Sequence, residues 1–153
     1  MVGIKGKYMK LSTRSRYGMR AILELAIEYG NKPVQIKTIA KRQDISGKYL
    51  EQLMAILKSS GLIRSVRGPR GGYLLAKPPQ EIKLSHVFAA LEGPLLTVEC
   101  IEHPEFCPRC TDCVTRQVWT DVQNAIINVL ESMTLQDLAD KARRGEDVSS
   151  YQI

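Results

Sequence analysis

At 153 residues, with 44% hydrophobic and 25% charged side chains, the chain can bury one good core with a small appended segment, which excludes a large multidomain enzyme. No apolar run is long enough for a secretory signal or a membrane span, so a cytoplasmic protein with no membrane partner is expected. The net charge of +6 is unevenly shared: residues 1–75 hold 15 Lys/Arg against 4 Asp/Glu, and residues 76–153 hold 7 against 12. A basic first half of this kind is the electrostatic footprint of a nucleic-acid binder, while the acidic second half argues against indiscriminate binding to polyanions.

Met1 and Met9 are both candidate starts. From Leu11 to Tyr29 a helix is predicted, with Ser12 and Thr13 as N-cap candidates and Tyr17, Met19, Ala21, Ile22, Leu25 and Ala26 as its apolar positions. Arg14, Arg16 and Arg20 either reach phosphates or form a solvated basic flank. After the Gly30–Pro33 loop, Ile36, Ile39 and Ala40 mark one face of a second, short helix. Asp44 and Ser46 are turn and N-cap residues. In the helix that follows, Leu50, Leu53, Met54 and Leu57 recur at i, i+3, i+4 and i+7, the signature of a buried stripe. Gly61 stands where a C-cap would. The opposite face carries Lys48, Glu51, Gln52, Ala55 and Lys58. Two short helices, a tight turn and a polar outer face on the second describe a helix-turn-helix.

Leu62 to Val66 alternates apolar and polar, Gly68-Pro-Arg-Gly-Gly72 is a turn, and Tyr73-Leu-Leu75 suits a return strand. A hairpin directly after a recognition helix is the wing of a winged helix. Its tip presents Arg67 and Arg70 among glycines, which lets backbone and guanidinium approach a narrow minor groove. Lys77-Pro-Pro-Gln80 breaks the structure, and a helix from Leu84 carries Val87, Phe88 and Leu91 before Glu92-Gly-Pro94 ends it.

Val114 to about Glu131 is a long helix whose Val114, Val118, Trp119, Val122, Ala125, Ile126, Val129 and Leu130 span an arc of roughly 160°, wider than the ~100° stripe of a surface helix. Either the helix lies fully inside the core, or a second copy covers it across a two-fold axis; a two-fold dimer matches a palindromic operator. Thr134 to Ala142 reads as a short helix and Arg143 to Ile153 as a polar tail.

All four cysteines lie in one segment, Cys100-Ile-Glu-His-Pro-Glu-Phe-Cys107-Pro-Arg-Cys110-Thr-Asp-Cys113. Clustered thiols in a chain expected in a reducing compartment point to metal or redox chemistry rather than to structural disulfides. Spacing leaves zinc, an iron–sulphur cluster and a thiol-disulfide switch all open. Cys113 leads into the long helix, where the macrodipole favours a thiolate.

The run Lys10-Leu-Ser-Thr-Arg-Ser-Arg-Tyr17, the motif Ile45-Ser-Gly-Lys-Tyr-Leu-Glu-Gln-Leu53 and Val66-Arg-Gly-Pro-Arg-Gly-Gly-Tyr-Leu-Leu75 resemble the Rrf2 family of bacterial transcription regulators over nearly the whole chain. With the cysteine loop before Val114-Thr-Arg-Gln-Val-Trp119, it is most similar to the members that carry an iron–sulphur cluster. The resemblance implies a homodimer with a labile [2Fe-2S] cluster ([4Fe-4S] and zinc being the alternatives) that controls cluster-assembly genes from a palindromic double-stranded DNA operator.

Carried over residue by residue, the resemblance implies Cys100, Cys107 and Cys113 as ligands. The loop between the first two is one residue longer than the family pattern, and Cys110 is additional. The family's fourth ligand, a histidine three residues after the last cysteine, is Arg116 here, and a guanidinium stays protonated and cannot bind iron. Cys110 and His103 are the candidates in its stead. For DNA, the matching positions are Lys48, Glu51 and Gln52 on the recognition helix and Arg67 on the wing. Gln52 suits an adenine edge and Glu51 a cytosine amine, so Glu51 acts as a discriminator between operators.

The expected fold is mainly α with a small β-wing. Residues 9–93 form the winged helix-turn-helix, 94–113 the cluster-binding loop, 114–142 the dimerisation helix with a short C-terminal helix, and 143–153 a flexible tail. The expected function is repression of cluster-assembly genes, with nitric oxide, cysteine supply or a zinc-stabilised regulator as alternatives. A thiol-disulfide oxidoreductase using Cys107 and Cys110 gives the basic wing no role. Without a Ser-His-Asp set, Walker loop or paired-carboxylate cleft, no enzyme is expected.

Overall fold

Among the described residues, 11–94 and 99–145, the computed structural model holds seven α-helices and one two-stranded antiparallel sheet. The candidate starts and most of the expected tail lie outside those residues. The first helix, α1 (Thr13–Ile27), begins where Ser12 accepts a hydrogen bond from the Ser15 amide at 3.2 Å. Its inner face, Ala21, Ile22, Leu25 and Ala26, is almost wholly buried. α2 (Ile36–Gln43) ends at Asp44, whose φ of 52° is one that a short polar side chain tolerates.

α3 (Gly47–Ser59) is the recognition helix of the motif. Ser46 caps it by accepting from the Tyr49 amide at 3.2 Å. Leu50, Leu53, Met54 and Leu57 are all 0% exposed, and burying each such side chain stabilises the fold by about 1.5–3 kcal/mol. The helix stops in a Schellman motif: the Leu62 amide donates to Leu57 and the Gly61 amide to Lys58, with Gly61 at φ 75°.

The wing is β1 (Ile63–Val66) paired with β2 (Gly72–Leu75), with Val66 opposite Gly72. β2 is pinned on its other side by a bridge to Val34, the residue leading into α2. The approach is close enough to exclude a side chain, since a Cβ on Gly72 would stand 2.4 Å from the Val34 carbonyl oxygen.

After a 3₁₀ turn at Pro79–Glu81, α4 (Leu84–Glu92) adds Leu84, Val87, Phe88 and Leu91 to the core. α5 (Glu99–Glu102) and a second 3₁₀ turn (Pro104–Phe106) precede the long α6 (Val114–Glu131). α6 buries none of its residues, so a fully interior helix is excluded. It packs against α5 at its start and α4 at its end, where Lys83 and Ser85 donate to the Glu131 carboxylate at 2.8 and 2.7 Å.

The chain then returns to the winged helix. α7 (Leu135–Arg143) starts in a capping box between Thr134 and Asp137 and packs against α1. Leu135 and Ala139, one turn apart, are 0% exposed. Arg143 donates to the Ile27 carbonyl at 2.8 Å, closing the C-terminus of α1 with a cation.

Candidate functional site

Lys48, Glu51 and Gln52 lie side by side on the outer face of α3, exposed and uncommitted to any hydrogen bond or ion pair among the described residues. A buried stripe on the other side of the same helix fixes their direction. Arg67 and Arg70, also exposed, sit on the turn between the wing strands. Five polar groups therefore stand on two elements, one rigid helix and one hairpin tip. The first turn of α3 is held against α1: Tyr49 meets Tyr17 edge to face at 6.2 Å, and its hydroxyl lies 3.3 Å from that of Thr13.

Arg20 is engaged within the protein. Its guanidinium donates to the Gln43 side chain and backbone carbonyl, both at 2.7 Å, and so caps α2. Beneath it Glu24, 7% exposed, accepts from Arg42 at 3.0 Å and from Gln43. Hydrogen bonds from Arg42 to Glu24 and Glu28 hold its proton more firmly than usual. Arg14 and Arg16 remain exposed.

Beside the wing tip lies an open groove of about 940 Å³, walled by Lys32, Gln35, Thr38, Arg42, Pro69 and Arg70 among others. The Gln35 side-chain amide donates to the Pro69 carbonyl at 3.4 Å across it. Sequence reasoning missed this groove. Its signal is non-local, the pairing of Val34 with Tyr73, which brings the Lys32 loop next to Arg70.

The cysteine segment covers the entry to α6. Cys100 lies in α5, Cys107 and Cys110 on successive turns, and Cys113 at the N-cap of α6. All four are free, partly buried thiols. The Cys110 thiol points at the Cys100 carbonyl, 3.8 Å away, and Arg116 Nε donates to the same oxygen at 3.2 Å. Partial burial, followed by the neighbouring Cys107, pushes the Cys110 thiol up. The Cys113 thiol is drawn down, first by the Thr115 hydroxyl at 3.2 Å and then by the Arg116 amide at the helix start. His103 is turned toward carboxylates, with Nδ1 3.1 Å from Glu105 and Nε2 3.8 Å from Glu102, and its ring leans on Phe106.

Among the described residues no three His, Cys, Asp or Glu side chains close on one point as a single-ion site requires. A [2Fe-2S] centre asks for something else: two protein donors on each of two irons. Cys107 and Cys110, on successive turns linked by the Cys110 amide donating to the Cys107 carbonyl at 3.2 Å, offer one such pair. Four soft donors within fourteen residues fit that group by kind and number.

The apolar side of α6 faces outward, with Val114 80%, Val118 50% and Val129 55% exposed.

Residues 11–141 match the Rrf2 family, described as iron-dependent transcriptional regulators. The chain belongs to the Rrf2 family. It is 45% identical to the protein rrf2 of Nitratidesulfovibrio vulgaris over 130 residues, 85% of this chain and 87% of that one. The structure of CymR, the global cysteine regulator of Bacillus subtilis, is 38% identical with a TM-score of 0.75, covering 86% of this chain and 97% of the other. The structure of IscR from T. potens is also 38% identical at a TM-score of 0.75, covering 92% and 93%. As an Rrf2 protein the chain is a DNA-binding transcriptional regulator with a winged-helix fold, and the oxidoreductase reading is set aside. Among the described residues no helix is long and apolar enough to cross a membrane.

Proposed function

We propose that this Rrf2 protein is a cytoplasmic, homodimeric repressor of iron–sulphur cluster assembly genes that reads cluster supply through a [2Fe-2S] centre. Lys48, Glu51 and Gln52 read base edges in the major groove, and Arg67 and Arg70 enter the flanking minor groove. Cys100, Cys107 and Cys113 hold the centre. When bound, the cluster supplies a group whose loss or reduction changes the charge and packing beside α6. The observation that carries the reading is the gathering of four partly buried free thiols at the start of that helix. The likeness to T. potens IscR supports it.

The likeness to CymR favours a second reading, a regulator of cysteine supply that needs no cluster. The two part on one measurement. Protein purified without oxygen is analysed for visible absorption, iron and zinc, and its operator affinity is compared before and after the metal is removed. Charge-transfer bands with about two irons per subunit, and an affinity that changes on their loss, support the sensor. A colourless protein that reconstitution leaves colourless, with unchanged DNA binding, sinks it. One zinc per subunit in place of iron makes the loop structural.

A further inference from the structure

We infer that the cluster's fourth ligand is Cys110, so that four thiolates hold it, while Arg116 positions the loop by gripping the Cys100 carbonyl. This inference rests on the cluster reading above and deepens it. The remaining donors in the segment decide the matter. Arg116 reaches back from the first turn of α6 to the backbone of Cys100 at 3.2 Å, and a guanidinium has no lone pair for iron. His103 is the one histidine in the segment, and both its ring nitrogens face Glu102 and Glu105 instead of a thiol.

Cys110, by contrast, is the remaining thiol of the segment that carries the other three. Its amide donates to the Cys107 carbonyl at 3.2 Å, and its sulphur lies 3.8 Å from the same Cys100 oxygen that Arg116 holds. Arg116 and Cys110 thus converge on one carbonyl. The arrangement also addresses charge. A fourth thiolate adds a negative charge that a neutral imidazole would not, and the Arg116 guanidinium, bound to the carbonyl that the Cys110 sulphur also approaches, is placed to offset it. The remaining acidic groups near the segment, Glu99, Glu102, Glu105 and Asp112, are exposed carboxylates, harder donors that suit iron–sulphur iron less well than a thiolate.

The test uses the full-length protein, reconstituted with iron and sulphide without oxygen. In the reduced wild type, pulsed electron paramagnetic resonance is expected to show no strongly coupled imidazole nitrogen. Cys110→Ala is expected to fall from about two irons per subunit to well under half that content, while His103→Ala keeps its cluster. Adding Arg116→His to Cys110→Ala offers a nitrogen donor from the first turn of α6. That double variant is expected to regain the visible bands with a nitrogen coupling and a more positive potential. Full cluster content in Cys110→Ala, or an imidazole coupling in the wild type, overturns the assignment and leaves the sensor reading intact. A wild type that takes up no cluster overturns both. Because the nitrogen coupling is read on the unmodified protein, the assignment stays exposed to refutation if Cys110→Ala fails to fold.

Discussion

Val34 and Tyr73 exchange both of their backbone hydrogen bonds, at 3.0 and 2.9 Å, although they lie in different parts of the motif. Val34 leads into α2, and Tyr73 belongs to the outgoing strand of the wing. The wing is therefore a continuation of the helix-turn-helix framework rather than a free hairpin, and the arginines at its tip are held at a set distance from the recognition face.

Gly72 is the point at which that connection is most exposed to substitution. Its φ is 156° and a Cβ would meet the Val34 carbonyl. Gly72→Ala is expected to cost about 1–3 kcal/mol of stability and to weaken operator binding, with the loss carried by the wing. Urea unfolding together with binding titration checks this. Unchanged binding would mean that the wing orientation does not depend on the bridge.

A second link joins α4 to the start of α1: Ser12 and Ser15 both donate to the Glu92 carboxylate. These hydroxyls, Ser12 first, hold the Glu92 carboxyl below the ordinary glutamate range. The sign follows directly. Stabilisation is full above the unfolded value of about 4.3 and is lost as pH falls through the lower folded value. Wild-type stability should therefore decline on acidification through that window, and Glu92→Gln should decline less. Thermal unfolding between neutral and acid pH compares them, and parallel curves would remove Glu92 from the account.

Much of the winged helix was legible because its signals are local. The stripe Leu50, Leu53, Met54, Leu57, the Ser46 cap and the Gly61 stop each follow from a few neighbouring residues. What was not legible depends on distant partners. Arg20, left open between a phosphate contact and a solvated flank, is held by Gln43 from α2. The short α7 gives only Leu135 and Ala139 to the core, and neither residue announces that it docks on α1. In the cysteine segment spacing revealed the donors, but the carbonyl shared by Arg116 and Cys110 is a matter of folded geometry.

The recognition face should divide affinity from selectivity. If Gln52 reads a base as proposed, Gln52→Ala should cost about 1–3 kcal/mol at that base pair alone. Arg67→Ala should weaken binding most at operators with a narrow minor groove. Glu51→Ala should broaden operator choice by removing a carboxylate that repels misplaced phosphate. Titrations against an operator set with single base-pair changes read all three. Glu51→Ala with unaltered preference, with and without cluster, would end the discriminator idea.

The outward apolar side of α6 bears on assembly. Val118 and Val129 lie three turns apart on one helix and are more than half solvent-exposed or close to it, at 50% and 55%. A second copy packed there would bury both, and the two-fold axis would bring the same residues from each side. Val118→Glu therefore introduces two carboxylates into one interface. A buried, unpaired charge costs at least about 3 kcal/mol, so dimer affinity should fall by roughly a hundredfold or more. The monomer itself should keep its stability, because no α6 residue belongs to the buried core. Sedimentation equilibrium reads the first effect and thermal unfolding the second. On DNA, the variant should lose affinity for a palindrome while its weaker binding to a single half-site persists. A Val118→Glu protein that stays dimeric would place the interface elsewhere on the chain.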